Sequence, residues 1–182
     1  MELYLNGTAH VKSAEEVRDF LTNRLGEGCL NCELRARSEG VSDMKTWHLW
    51  LTVTRDAFLP AVDAMGELDF PHFHVCSGND DGDTLRSNYH FSLFRACGRG
   101  KEVNVTLVVS VPKSDPVLPS LHSRVPGVGF SEREMNEMLG IVHEGQPNTD
   151  LIFLPPDWDR SILPWRRDET GPENKGVVNV LE

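Results

Sequence analysis

The sequence predicts an α+β fold: a largely antiparallel sheet of about five strands with two helices on one face, followed by a short helix and an extended C-terminal arm. Three observations predict it. Apolar residues recur at helical spacing near residues 14–25 and 56–68, they alternate with period two in several other segments, and after residue 111 the chain becomes rich in proline.

Ser13-Ala14-Glu15-Glu16 has the form of a capping box, in which hydroxyl and carboxylate each satisfy the other's backbone N–H. It opens a helix with Val17, Phe20, Leu21 and Leu25 on one face, and Gly26 supplies the stop. Leu30, Cys32, Leu34 and Ala36 then alternate with Asn31, Glu33, Arg35 and Arg37, the pattern of a strand with one face in a core and one in water. After a polar turn at Ser38-Glu39-Gly40, a second strand runs from Trp47 to Thr54 with Trp47, Leu49, Leu51 and Val53 inward. Asp56 to Leu68 forms a second helix with Phe58, Leu59, Val62 and Met65 inward, and Pro60 must fall in its first turn, where no N–H is needed. A short strand at Phe73 to Cys76 precedes a turn at Asn79-Asp80-Asp81-Gly82-Asp83. Segments 85–97 and 102–111, rich in aromatic and β-branched residues, face each other as a hairpin across Gly98-Arg99-Gly100-Lys101.

The α+β core domain therefore spans residues 1–111. Pro112, Pro116, Pro119 and Pro126 make the next stretch a connector. A second capping box, Ser131 with Glu134, starts a short helix that Gly140 ends, and Pro155, Pro156 and Pro164 deny the remainder a long helix or a central strand. Residues 112–182 thus hold a connector, a short helix and an extended partner-binding arm.

A net charge of −10 argues against a nucleic-acid partner, because phosphate binding needs clustered Lys and Arg. The acidity is concentrated toward the end, where residues 131–182 hold five Lys/Arg against eleven Asp/Glu, a balance that also repels an anionic lipid surface. Met1 to Asn6 lack the basic start and apolar run of a signal peptide, and no stretch of about 18 apolar residues occurs. The expectation is a cytoplasmic protein with no direct membrane insertion.

Cys29-Leu30-Asn31-Cys32 invites a thiol-redox or metal reading, but a closed zinc site wants two more ligands, and residues three apart on a plain strand point to opposite faces. A small cytosolic metal- or thiol-redox-binding protein built on Cys29 and Cys32 remains the alternative from a different class. His72 and His74 share one face of a strand, a pattern that solvent-facing alternation explains equally well. There is no nucleophile elbow, phosphate loop or dinucleotide fingerprint, so no cofactor, metal or catalytic residue is expected.

The most distinctive residues lie in the last third. Ser131-Glu132-Arg133-Glu134, then Glu137-Met138-Leu139-Gly140-Ile141, are followed by Leu154-Pro155, Trp158 and Pro164-Trp165-Arg166-Arg167-Asp168. This ordered series, preceded by Pro119-Ser120-Leu121, resembles the 30 kDa subunit family of respiratory-chain NADH dehydrogenase, complex I. That family includes counterparts in energy-converting, formate-hydrogenlyase-type NiFe hydrogenases. Phe130 stands where the family often has Trp, Gln146 where it usually has His, and the segment His72 to Phe91 looks more like the hydrogenase branch.

The resemblance implies a non-catalytic structural subunit of a multisubunit oxidoreductase, without a cofactor of its own. It implies docking on the large catalytic subunit, 49 kDa-like or NiFe-hydrogenase-like, beside the iron-sulfur small subunit, at the inner face of the cell membrane. The partner-binding residues it implies are Glu132, Arg133, Glu134, Glu137, Trp158, Trp165, Arg166, Arg167 and Asp168, tryptophan and arginine being favoured at interfaces.

Overall fold

The computed structural model describes residues 10–39, 44–98 and 100–175. Met1 to Asn6, Gly40 of the first expected turn and Arg99 of the second lie outside the described residues. The chain divides into two units, Met1–Val75 with Asn88–Val109 and Cys76–Ser87 with Ser110–Glu182.

In the first unit, α1 (Ala14–Leu25) begins with both halves of the capping box formed: the Ser13 N–H donates to Glu16 Oε2 at 2.7 Å and the Glu16 N–H to Ser13 Oγ at 3.1 Å. Gly26 ends it at φ 52°, a left-handed conformation that a side chain would resist. Its buried face, Ala14, Val17 and Leu21, packs on α2 (Phe58–Leu68) and on strands β1 (Cys29–Glu39) and β2 (Met44–Val53). In α2, Phe58, Val62 and Met65 are fully buried as the periodicity predicts, and Pro60 sits in the first turn.

Strands β3 (His72–Asp80), β4 (Thr84–Leu93) and β5 (Val103–Pro112) complete a five-stranded sheet in the order β1-β2-β5-β4-β3. β1 and β2 pair antiparallel, whereas β5 pairs parallel with β2, Leu51 facing Leu107. Alternate residues of the central strands supply the core: Leu49, Leu51 and Val53, Val105, Leu107 and Val109, and Tyr89, Phe91 and Leu93. Each such side chain contributes about 1.5–3 kcal/mol on burial. Phe58 of α2 meets Tyr89 at 5.0 Å between ring centroids, which fixes the helices to this face of the sheet.

β1 is an edge strand. The predicted alternation holds at Cys32 and Leu34, which the edge leaves half-buried, and fails on either side of them: Leu30, where the register shifts, is 63 % exposed, and Ala36 is exposed.

In the second unit the expected turn at 79–83 is narrower, because Asn79 and Asp80 continue β3 and only residues 81–83 turn, closed by Asp81 N–H to the Thr84 carbonyl at 3.0 Å. The connector contains β6 (Val117–Pro119), which pairs parallel with β7 (Val142–Glu144). Between them α3 (Gly129–Leu139) follows directly from a 3₁₀ turn at Pro126–Val128. Ser131 therefore lies inside the helix and is buried, so the predicted Ser131/Glu134 capping box does not form. The preceding turn already carries the chain into helical geometry two residues earlier. Gly140 does end the helix, at φ 74°. Leu118, Leu121, Val128, Met135, Leu139 and Ile141 form the core of this unit. Gly78 of β3 leaves room for α3, since a Cβ there would lie 2.5 Å from Leu139 Cδ1 and 2.6 Å from Met135 Sδ.

Candidate functional site

The helical repeat turns Glu132 of α3 toward the connector, and Arg133 and Glu137, four residues apart, toward the segment 150–154. Glu132 is fully buried and accepts from Ser120 Oγ at 2.6 Å, from the Leu121 N–H at 2.7 Å and from Gln146 Nε2 at 2.9 Å. Burial raises its carboxyl above the usual range even against these three donors. Arg133 donates twice to the Asp150 carbonyl, at 3.0 and 2.8 Å. Glu134 is half-buried, and burial together with Glu137 raises its carboxyl.

Glu137, one turn further along, is 5 % exposed and takes three consecutive backbone N–H groups: Ile152 at 2.9 Å, Phe153 at 3.0 Å, and Leu154. Three amides converging on one carboxylate form an anion nest, so this loop has its shape dictated by α3 rather than by regular structure of its own. The nest holds Phe153 edge-on to Phe130, with ring centroids 5.6 Å apart and planes at 88°. Both rings remain more than half exposed, 53 % and 54 %.

The far part of the arm is tied as well. Arg166 Nε donates to the Leu139 carbonyl at 2.6 Å, satisfying one of the orphan acceptors at the end of α3, and the Trp165 N–H donates to the Met138 carbonyl at 3.0 Å. The Asp168 carboxylate pairs with Lys113 at 2.7 Å and Arg166 at 3.2 Å, and Lys113 also pairs with Asp80 at 2.8 Å. Asp80 accepts the Arg167 N–H at 2.8 Å. Burial alone would raise the Asp168 carboxyl, but the Lys113 ammonium and the Thr170 donors outweigh it and hold it well below the usual carboxylate range. Asp80 is lowered in the same way, and the two carboxylates raise the Lys113 ammonium against its partial burial.

Of the nine residues singled out in the sequence, Glu132, Arg133, Glu137, Arg166 and Asp168 thus spend their charge on groups within the second unit: Glu132 on the connector and Gln146, Arg133 and Glu137 on the backbone of residues 150–154, Arg166 on the end of α3 and on Asp168, and Asp168 also on Lys113. Trp158 is half-buried, its Nε1 donating to the Ile162 carbonyl at 2.9 Å. Trp165 is 41 % exposed, and Arg167 is exposed. Phe130 and Phe153 were not among the nine. The available signal was Phe130 at a position that favours an aromatic just ahead of the charged run.

Elsewhere, His72 and His74 stack edge to face at 5.1 Å, and His74 Nε2 lies 3.0 Å from Ser92 Oγ. Among the described residues, no group of three or more His, Cys, Asp or Glu side chains is arranged to hold a metal ion.

Comparison with known proteins matches residues 51–175 to the family described as respiratory-chain NADH dehydrogenase, 30 Kd subunit. The chain is 35 % identical over 164 residues to membrane-bound hydrogenase subunit beta of Pyrococcus furiosus, an alignment covering 89 % of this chain and 91 % of that protein. It is 27 % identical over 144 residues to formate hydrogenlyase subunit 5 of Escherichia coli, covering 74 % of this chain but only 25 % of that longer protein. A chain in the structure of the membrane-bound sulfane sulfur reductase, an archaeal respiratory membrane complex, superposes with a TM-score of 0.65. That likeness covers 94 % of this chain and 96 % of the other at 14 % identity, a likeness of fold.

Proposed function

This chain belongs to the respiratory-chain NADH dehydrogenase 30 kDa subunit family, and from that premise we propose that it is a non-catalytic assembly subunit of a membrane-associated oxidoreductase complex. The complex is either an energy-converting hydrogenase or a complex-I-type NADH:quinone dehydrogenase. The near full-length match to a membrane-bound hydrogenase subunit favours the hydrogenase branch. Its partners in this reading are the large catalytic subunit and the iron-sulfur small subunit. No helix among the described residues is long and apolar enough to cross a membrane, so the reading has the chain attached peripherally, at the inner face, through those partners.

The observation that carries the docking role is the Phe130–Phe153 pair, two large apolar rings held outward by the Glu137 nest. Rigid, outward aromatic anchors are the residues that dominate interface energetics. Trp165 and Arg167, exposed, and Glu134, half-buried, are further contact residues in this reading, while Glu132, Arg133, Glu137, Trp158, Arg166 and Asp168 serve binding indirectly by shaping the second unit. Gentle solubilisation of native membranes and capture through a tag on this chain tests the reading. Co-purification of a hydrogenase-like or 49 kDa-like large subunit and an iron-sulfur small subunit is the expected result. Recovery of the chain alone would contradict it.

A further inference from the structure

Cys29 and Cys32 are brought together by an irregularity of β1. On a plain strand they would face opposite ways. Here the pairing with β2 shifts between Cys29 and Asn31, so that Cys29 lies opposite Val53 and Cys32 opposite Leu51. Leu30 is the extra residue, bulged outward and 63 % exposed. Val53 and Leu51 share a face of β2, and both cysteines therefore share the corresponding face of β1. Two steps along a strand span roughly 6.7 Å, inside the range of about 4.4–6.8 Å over which Cα atoms can be bridged by a disulfide.

Both cysteines are free and half-buried, and they line one open cleft with Arg18, Asp19 and Thr22 of α1. The Thr22 side chain is on the face of α1 that borders this cleft. A pair of thiols on one strand face at an open cleft is a different object from two buried core cysteines.

We propose that Cys29 and Cys32 form a dithiol site for exchange with a small-molecule disulfide, Cys29 attacking and Cys32 resolving. The Cys29 thiolate attacks one sulfur of R–S–S–R, forming a Cys29–S–S–R bond and expelling RS⁻, which takes up the proton that Cys29 gave. Cys32 then loses its proton and attacks the Cys29 sulfur, expelling the second RS⁻ as RSH. The protein loses two electrons and two protons, and the disulfide gains them as two thiols. Cys29 goes first because it stands at the strand entrance, and Cys32, on the same face further in along the strand, follows as the resolving thiol. Burial pushes both thiols above the ordinary thiol range, so the thiolate fraction is small at neutral pH and exchange rises about tenfold per pH unit.

The test is incubation of the full chain, carrying Cys97→Ser to remove the exposed third thiol, with oxidised glutathione at mildly alkaline pH, followed by intact and peptide mass spectrometry. The expected product has lost two hydrogens and shows a Cys29–Cys32 cross-link, formed faster at higher pH. Cys32→Ser in the same background retains one glutathione on Cys29, and Cys29→Ser reacts at least tenfold more slowly. Wild-type Cys29 and Cys32 that both remain alkylatable, or glutathione that accumulates on Cys29 without resolution, would overturn the proposal.

Discussion

The Asp168 carboxylate lies 2.7 Å from the Lys113 ammonium, and the same ammonium lies 2.8 Å from Asp80. One cation thus ties the arm to the segment after β5 and to the end of β3, all within the second unit. Lys113→Met leaves Asp80, whose side chain is 1 % exposed, without its counter-charge and facing a second carboxylate. The expected cost is about 3 kcal/mol in a urea titration. Asp168→Asn costs less, because Lys113 keeps Asp80.

The same cluster fixes a pH window. Asp80 and Asp168 are lowered in the fold, so their contribution is present above the ordinary carboxyl value near 4 and is lost as pH falls through the lowered values. Lys113 is raised, so its contribution is present below the ordinary ammonium value of about 10.4 and is lost as pH rises beyond it. Melting temperature should therefore hold between about pH 4 and 10 as far as this cluster is concerned. Asp168→Asn should flatten the limb below pH 4.

His143 sets a second, separate acid limb. It is 5 % exposed on β7, and burial lowers its imidazole to about 4. A depressed histidine favours the fold while neutral, so stability falls as pH drops from about 6.5 toward 4, by on the order of 3 kcal/mol. Chemical denaturation at pH 7 and pH 5 should show the loss, and His143→Gln should remove most of the difference.

Glu137→Gln should loosen one loop without unfolding the chain. A neutral amide offers a single acceptor oxygen where the carboxylate now serves three amides. Local stability should fall by about 2 kcal/mol, seen as roughly 30-fold faster hydrogen exchange at Ile152, Phe153 and Leu154, with α1 and α2 unchanged.

Elements set by local chemistry were legible in the sequence. The Ser13/Glu16 capping box, the Gly26 and Gly140 stops and the inward sets of α2 and β2 each depend on residues within a turn or two. The misplaced start of α3 arose because Ser131 and Glu134 fit a cap locally, while the helix was already committed by the turn at Pro126. The parallel pairing of β2 with β5 is non-local, and nothing in either strand announces it. At the site, the Glu-Arg-Glu run was visible, but a carboxylate that points into its own loop reads the same in sequence as one that points at a partner. Only Glu137 bonded to residues 152–154 separates the two. The bulge at Leu30 was likewise invisible, because it is a property of register and not of composition.

In the proposed docking mode the outward aromatic pair meets the partner while the signature charges build the surface behind it. The most direct test of this mode is the affinity of the Phe130→Ala/Phe153→Ala double variant for the isolated large subunit, measured beside its melting temperature. Binding should be at least roughly 30-fold weaker, about 2 kcal/mol, with a melting temperature within a few degrees of the wild type, since both rings are already more than half in water. Undiminished affinity in a folded double variant would contradict it.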